Sequence, residues 1–195
     1  MALHGLETAI KTAFPTYKDR QRWKPKVVRY ADDFVVLHKD REVIVQAQAI
    51  ASRWLQGMGL ALKPSKTRMA HTRHPVEGVA GFDFLGFHIR QYPVGKYKTG
   101  TTGQGKPLGF KTHIKPSKEG QRTHLLQIKG ELRKLRAASQ EGLIGTLNPI
   151  IQGWSHYYSA VVAKATFSRM ESLGVRQTSS LGTTASSPKV GVVGE

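Results

Sequence analysis

The sequence predicts an α+β fold, in which an antiparallel sheet packed against a helix precedes a smaller α-helical region. Two observations support this class. Runs of β-branched and aromatic residues flank short turns in the first half of the chain, as in β-hairpins. Apolar residues spaced three and four apart, which indicate amphipathic helices, occur between residues 40 and 58 and again after residue 122.

Composition and charge point to a polyanionic partner. The 195 residues include 30 Lys and Arg against 13 Asp and Glu, which gives a formal net charge of +17. Nucleic acid is therefore the first partner to consider.

No stretch approaches the ~18 apolar residues of a membrane-spanning helix, so no membrane association is expected. The absence of cysteine excludes disulfides and thiolate zinc sites, and favours an intracellular location, cytoplasmic or organellar.

The chain opens with a predicted amphipathic helix and a loop. The helix is expected over Leu3 to Ile10. Residues 11–26 contain two prolines and a basic run, so they are expected to form a surface loop that leads into the first strand.

A hairpin from Val27 to Leu37, V-V-R-Y-A-D-D-F-V-V-L, is the central feature of the sequence. Its two apolar arms flank a turn that sets Asp32 and Asp33 side by side. Adjacent carboxylates repel each other, so a sheet that holds them together favours a hard, oxygen-preferring cation, Mg²⁺ before any other. The residues alone support equally well the interpretation that both acids simply form the turn, where Asp is common.

A helix is predicted to follow from Asp40, which can cap its first turn. Gly57 and Gly59 are expected to end it. Leu60 to Leu62 suggest a strand that leaves the sheet at Pro64. The apolar residues of the helix recur at spacings of three and four: Val43, Ala47, Ile50, Ala51, Trp54, Leu55 and Met58.

A second hairpin is predicted at Phe82 to Ile89, with Gly86 at the turn between aromatic-rich arms. Asp83 could be a further metal ligand, but a single acid in an alternating strand is more often exposed to solvent. Between residues 91 and 121 Gly and Lys dominate, which predicts a flexible basic connection. Its lysines, Lys115 and Lys118 among them, either contact a phosphate backbone or are only solvated.

The last part of the chain is predicted to be helical. Thr123 to Arg136 carries an apolar stripe of Leu125, Ile128, Leu132 and Leu135. About a quarter-turn away lies a basic group that can bind phosphates: Arg122, Lys129, Arg133 and Arg136. The alternative is an ordinary solvated face, which the near absence of interleaved acids disfavours.

A second helix is predicted to begin at Asn148-Pro149. Beyond Gln177 the small and polar composition predicts disorder. The apolar and aromatic residues of the helix are expected to form a bundle core rather than base-stacking surfaces: Ile150, Ile151, Trp154, Tyr157, Tyr158, Val161 and Val162.

Four motifs in this order resemble the group II intron reverse transcriptases and maturases. They are Tyr30-Ala31-Asp32-Asp33 between apolar strands, L-x-L-x-x-S-K-T ending at Thr67, F-L-G-F at Phe84 to Phe87, and N-P-I-I-Q-G-W-S-H-Y-Y at Asn148 to Tyr158. The resemblance covers about residues 2 to 170. It implies part of a polymerase palm over 1–92, a basic linker over 93–121, a helical thumb or maturase-specific domain over 122–172, and a disordered or unrelated tail over 173–195.

The resemblance also implies an activity, RNA-directed DNA polymerisation, with two Mg²⁺ ions in the intact enzyme. Asp32 and Asp33 would be the catalytic metal ligands, and Lys66 would act near the incoming deoxynucleoside triphosphate. The Phe84-Leu85-Gly86 turn would form the primer grip. Intron and template RNA and a DNA primer would be the partners.

The sequence also departs from the pattern of this family. The family's third metal-binding Asp precedes the Y-A-D-D motif, whereas before Asp32 this chain has only Glu7 and Asp19, neither in a strand-like run. The fingers and the Gly-rich nucleotide-binding segment are also missing. We therefore expect an incomplete metal site and a fragment inactive alone, unless the missing N-terminal half is supplied in trans. A non-catalytic RNA-binding module that assists intron splicing and a remnant of a degraded mobile element are the alternatives.

Overall fold

The structure is a computed structural model, which describes residues 3, 5–18, 21–76, 78–95, 97–164 and 166–170. Contacts divide the chain into two compact units, Met1–Met69 and Ala70–Glu195. The disorder predicted beyond Gln177, and the tail predicted over 173–195, lie outside the described residues. No helix in these ranges has both the length and the apolar character needed to cross a membrane.

The first unit contains the predicted Asp-Asp hairpin. Strands β3 and β4 pair antiparallel from Lys26↔Leu37 to Tyr30↔Asp33, which confirms the hairpin. Strands β1 and β2 pair within the stretch predicted as a loop. The elements of this unit are helix α1 (Leu6–Thr12), strands β1 (Tyr17–Lys18), β2 (Gln21–Arg22), β3 (Lys26–Tyr30) and β4 (Asp33–Leu37), helix α2 (Arg41–Gln56) and a 3-10 turn (Pro64–Lys66).

The core of the first unit lies where α1 packs against α2. Leu6 and Ile10 of α1 are fully buried. Their partners on α2 are the residues that the spacing predicts: Val43, Ala47, Ala51 and Leu55. Asp40 caps α2 as predicted, because its carboxylate accepts a hydrogen bond from the Glu42 N–H at 2.9 Å.

The strand predicted at Leu60 to Leu62 is wrong. The chain there has no regular secondary structure, and it continues into the 3-10 turn at Pro64–Lys66. The Thr67 N–H donates to the Lys63 carbonyl at 3.0 Å, so the segment forms a local turn held by its own hydrogen bond. Pro64 has no N–H to offer a neighbouring strand, which favours this local turn over pairing.

The second unit begins with a three-stranded antiparallel sheet in the order β5-β6-β7. The predicted hairpin between β5 and β6 is confirmed. Leu85 (φ 50°) and Gly86 (φ 77°) form its turn, and two left-handed residues are what a two-residue turn requires to match the twist of its strands. The elements of this unit are β5 (Phe82–Phe84), β6 (Phe87–Pro93), β7 (Phe110–Pro116), α3 (Lys118–Lys134) and α4 (Gln140–Tyr157).

Strand β7 corrects the prediction of a flexible connection over residues 93–121. It runs F-K-T-H-I-K-P, an alternation of strand period within a basic stretch. It pairs with β6 from Phe87↔Pro116 to Pro93↔Phe110. This pairing ties the second hairpin to the helices that follow, and both belong to the compact unit that begins at Ala70. The described strands form three separate sheets rather than one layer, within the predicted α+β class.

Both later helices begin earlier than the sequence predicts. Ser117 caps α3 by accepting a hydrogen bond from the Gly120 N–H at 3.0 Å. Ser139 caps α4 by accepting from the Gly142 N–H at 3.3 Å. Pro149 consequently lies inside α4, and the prediction that Asn148-Pro149 starts the helix is wrong. A serine cap with an acid in the first turn outweighs the missing N–H of one internal proline.

The two helices share a small apolar core. Its residues are Ile128, Leu132 and Leu147, with Leu143 and Ile150 packed against them. The predicted aromatic bundle face is only partly correct. Tyr158 is buried, but Ile151, Tyr157 and Val162 are 42%, 54% and 55% exposed. Helix α4 ends at Tyr157, so Val162 does not continue its face.

Candidate functional site

Asp32 and Asp33 lie at the exposed tip of the β3-β4 hairpin. Asp33 pairs with Tyr30, so Ala31 and Asp32 form the two-residue turn. Ala31 has φ 52°, a left-handed conformation that favours glycine. The Arg29 guanidinium donates to the Ala31 carbonyl at 3.2 Å and places a cation beside the turn. Both carboxylates are therefore presented to solvent on a constrained turn.

These two carboxylates are suitable ligands for a divalent cation, but they are too few to hold a pair of ions. Asp32 and Asp33 offer only hard oxygen donors, which suit Mg²⁺. No group of three or more His, Cys, Asp or Glu that could hold a metal occurs in the part of the chain that the structure describes. A pair of ions needs more oxygen ligands than two side chains supply. The hairpin alone would therefore supply only part of the ligands that a pair of ions requires.

Lys66 lies at the end of the 3-10 turn and is exposed. The turn is held by Thr67, whose hydroxyl donates to the Lys63 carbonyl at 3.0 Å. No hydrogen bond or ion pair among the described residues joins Lys66 to Asp32 or Asp33. The three candidate catalytic residues thus share a unit without direct bonding between the lysine and the acids.

The Phe84-Leu85-Gly86 turn is fixed by the end of α4. The Tyr157 hydroxyl donates to the Leu85 carbonyl at 2.8 Å, and the Tyr158 hydroxyl donates to the Gly86 carbonyl at 3.0 Å. The Ser117 N–H also donates to the Gly86 carbonyl, at 2.7 Å. Two motifs that are distant in sequence therefore meet in a hydroxyl clamp, formed by Tyr157 and Tyr158 on the turn carbonyls.

Glycine is required where the backbone approaches Tyr158 closely. A Cβ at Gly86 would lie 2.7 Å from the Tyr158 hydroxyl oxygen, and one at Gly120 would lie 2.9 Å from it. Burial, with a smaller contribution from Tyr157, raises the pKa of Tyr158. A tyrosine hydroxyl is already a neutral donor at physiological pH, and burial here favours that neutral form further.

A cavity of about 480 Å³ opens beside the clamped turn. Its wall includes His124, whose ring stacks on Trp154 with centroids 4.7 Å apart and planes 12° from parallel. Burial lowers the pKa of His124, which favours the neutral ring. Sequence reasoning missed His124 as a core residue, although its spacing of four from Ile128 places it on the same stripe. Asp83, on the same wall, is exposed and lies 2.6 Å from His88 Nδ1.

Helix α3 presents the predicted basic face. Lys118, Arg122, Lys129 and Arg133 are exposed at spacings of four and seven, which place them on one side of the helix. Arg136 follows the helix end and is exposed, whereas Lys115 belongs to β7 and is half-buried. Glu131, the one acid within the run, pairs with Lys134 at 2.8 Å.

A groove of about 560 Å³ runs along this basic face. Lys118, Arg122 and Lys129 line it together with Arg169, which sequence reasoning missed because it lies beyond the predicted helices. Leu126, which is 57% exposed, also lines the groove. The surface combines several guanidinium and ammonium groups with apolar area, as phosphate-binding surfaces do.

Comparison with protein-family models gives two matches. Residues 2–89 match the model described as reverse transcriptase (RNA-dependent DNA polymerase). Residues 122–177 match the model described as group II intron, maturase-specific domain. No curated protein matches the chain. The first match contains the Asp-Asp hairpin and the Phe84-Leu85-Gly86 turn, and the second contains α4 and most of α3.

Proposed function

Because this chain belongs to the group II intron reverse transcriptases and maturases, we propose that its first unit supplies the carboxylate hairpin of a nucleotidyl-transfer site and its second unit binds primer and RNA. RNA-directed DNA polymerase and maturase functions follow from the two family matches. The exposed tip of the β3-β4 hairpin carries the catalytic part of the proposal, since it presents two hard ligands where a primer end can reach them.

Each candidate residue has a proposed part in the reaction. Bound divalent ions would supply the activation of the primer 3′-hydroxyl and the stabilisation of leaving pyrophosphate. Asp32 and Asp33 would bind those ions through their carboxylate oxygens. The Lys66 ammonium would bind the triphosphate of the incoming nucleotide. The Phe84-Leu85-Gly86 turn would support the primer strand.

The chain alone is proposed to be inactive as a polymerase, because two carboxylates provide only part of the ligands of two ions. Primer extension on poly(rA)/oligo(dT) with Mg²⁺ tests this directly. The expected result is no extension by the chain alone. Extension that Asp32→Ala abolishes would overturn the proposal. A polypeptide carrying the fingers and the third carboxylate, added in trans, should restore extension that depends on Asp32.

A second function, RNA binding without catalysis, is favoured by the basic face of α3. Four cations on one side of the helix can neutralise several phosphates at once. This binding should survive Asp32→Ala and weaken as salt is raised. Such binding would allow the chain to act on intron RNA as a maturase even if it does not polymerise DNA.

The α3 face is tested with a double variant and with a single-charge control on the same helix. Lys129→Gln/Arg133→Gln removes two cations of the face. The loss of each cation should reduce the slope of log affinity against log salt by ~1. Lys134→Gln is the control, since Lys134 is exposed on the same helix but paired with Glu131. Equal losses from both variants would argue against a defined face. An absence of RNA binding at physiological salt would favour the mobile-element remnant instead.

A further inference from the structure

One face of the β6-β7 pair carries several cationic side chains and no acidic one. The antiparallel register sets His88 opposite Lys115, Arg90 opposite His113, and Tyr92 opposite Lys111. Alternate residues of a strand share a face, so all six side chains lie on the same side of the sheet. Three of them carry a full positive charge, and none is acidic.

The Tyr92 ring lies close to two of these cations, Arg90 and Lys115. The Arg90 guanidinium carbon lies 4.7 Å from the centre of the Tyr92 ring, and Lys115 Nζ lies 5.7 Å from it. The His113 ring centre is 5.1 Å away. Cation–π attraction to one ring thus brings the like charges of Arg90 and Lys115 near one another, at diagonal positions of the ladder.

Among the described residues of the second unit, little neutralises this cluster. Asp83, opposite His88 at the sheet edge, has its carboxylate 2.6 Å from the His88 ring nitrogen. Among the residues that the structure describes, no ion pair reaches Arg90, Lys111 or Lys115. Arg90 Nε and His113 Nδ1 are buried there without a hydrogen-bond partner. An external anion would supply the charge that Arg90, Lys111 and Lys115 lack, whereas the two buried nitrogens are out of its reach.

We propose that this surface, the cationic sheet face (Arg90, Tyr92, Lys111, His113 and Lys115), binds the phosphates of single-stranded RNA. The inference rests on the proposed RNA binding and adds a second surface to the α3 face. Lys111 and Lys115 lie four positions apart on β7, roughly 13 Å, and Arg90 lies on β6 at the level midway between them. Such a row of charges matches a repeating polyanion better than a single anion. An aromatic ring among cations is also the composition of surfaces that bind single strands.

The cationic sheet face leads directly into the α3 face along the chain. Strand β7 ends at Pro116 and α3 begins at Lys118, with Ser117 as its cap. Lys115 is therefore the last cation of the sheet face, and Lys118 is the first of the helix face. A strand of RNA following this part of the chain would meet the two surfaces in succession.

Photocrosslinking tests contact between RNA and the wild-type chain of 195 residues. A single-stranded oligo(U) containing 4-thiouridine is irradiated with the protein, and the tryptic peptides that carry RNA are identified by mass spectrometry. We expect crosslinks in the peptide that contains Tyr92, which trypsin releases after Arg90. Crosslinks confined to α3 and absent from this peptide would overturn the inference, whatever the behaviour of any variant.

Charge-removing variants test the contribution to affinity. Arg90→Gln/Lys111→Gln/Lys115→Gln should weaken oligo(U) binding about tenfold or more and reduce its salt slope by roughly two to three. The control, Arg41→Gln/Arg53→Gln/Lys63→Gln, removes as many charges at exposed positions of the first unit and should retain nearly all affinity.

The outcomes separate the two proposals. If wild type binds RNA and only Lys129→Gln/Arg133→Gln weakens it, the α3 proposal stands and the sheet inference fails. If wild type binds no RNA at physiological salt, both fail. If polyglutamate competes with oligo(U) at equal charge concentration for the Tyr92 crosslink, the face binds polyanions in general and the assignment to RNA is overturned.

Discussion

The Tyr158 hydroxyl donates a hydrogen bond to the Gly86 carbonyl at 3.0 Å, between residues 72 positions apart. This bond joins the turn of the second hairpin to the end of α4. Tyr157 makes the parallel bond to the Leu85 carbonyl. The F-L-G-F and H-Y-Y motifs therefore form one structural element, and the turn that resembles a primer grip is held by the maturase-matching helix.

Replacing Tyr158 with Phe should lower the free energy of unfolding by ~1 kcal/mol, the usual net contribution of a buried hydrogen bond. The loss is limited because the Gly86 carbonyl keeps its bond from the Ser117 N–H. Urea denaturation followed by circular dichroism measures it. Tyr157→Phe is the control and should lose less, since Tyr157 is 54% exposed. Unchanged stability of Tyr158→Phe would contradict a stabilising clamp.

Gly86→Ala should destabilise the chain by ~1–3 kcal/mol, because it combines a left-handed backbone with a close contact to Tyr158. Gly105→Ala separates these causes: Gly105 has φ 76° with nothing within 4 Å of its added Cβ. Gly105→Ala should therefore lower the free energy of unfolding by less than Gly86→Ala does. In a Tyr158→Phe background the loss from Gly86→Ala should shrink, and strict additivity of the two changes in a double-mutant cycle would contradict the contact.

Ala31→Gly should raise the free energy of unfolding by about 0.5–1 kcal/mol, because glycine adopts φ 52° without steric strain. Thermal denaturation is the measurement. Ala61→Gly serves as the control, since Ala61 is exposed and lacks a left-handed φ. Glycine at Ala61 should leave stability unchanged or slightly lower. A loss of stability in Ala31→Gly would show that the turn prefers a side chain there.

Stability should fall as the pH drops below about 6.5, in part because of His124. Burial lowers the pKa of His124 from its ordinary value of 6.5, so the unfolded chain binds a proton before the folded chain does. The neutral His124 ring makes its full contribution to the free energy of unfolding above pH 6.5. That contribution is lost as the pH falls toward the folded-state pKa. Denaturation of wild type and His124→Phe at about pH 7.5 and pH 5.5 measures this. The variant keeps a ring beside Trp154 and should show the weaker dependence; identical dependence would exclude His124 as a contributor.

Features set by local sequence were predictable. The Asp-Asp hairpin has apolar arms of strand length around a short turn, and α2 has both its Asp40 cap and its Gly57 end. The candidate catalytic acids could be identified because the chemistry and the motif coincide at one turn. The basic face of α3 followed equally from spacing alone.

Features set by distant contacts were not predictable. Strand β7 alternates with the strand period over only seven residues, inside a stretch with the composition of a basic linker, and its pairing with β6 is what stabilises it as a strand. The clamp from Tyr158 to Gly86 depends on how α4 packs against the sheet, which no local pattern encodes. The cationic sheet face likewise required the register, since Arg90 and His113 are neighbours only across the β6-β7 ladder.

The pairing of Pro93 with Phe110 has a consequence for how the length of the chain can vary. It closes the connection over residues 94–109 at its base, where the Val94 N–H also donates to the Gly109 carbonyl at 3.1 Å. Lengthening a closed loop is inexpensive, about 0.6 kcal/mol for each doubling. Insertions or deletions in this segment would leave both strands in register, which makes it the natural place for relatives to differ in length and for a probe or tag to be introduced.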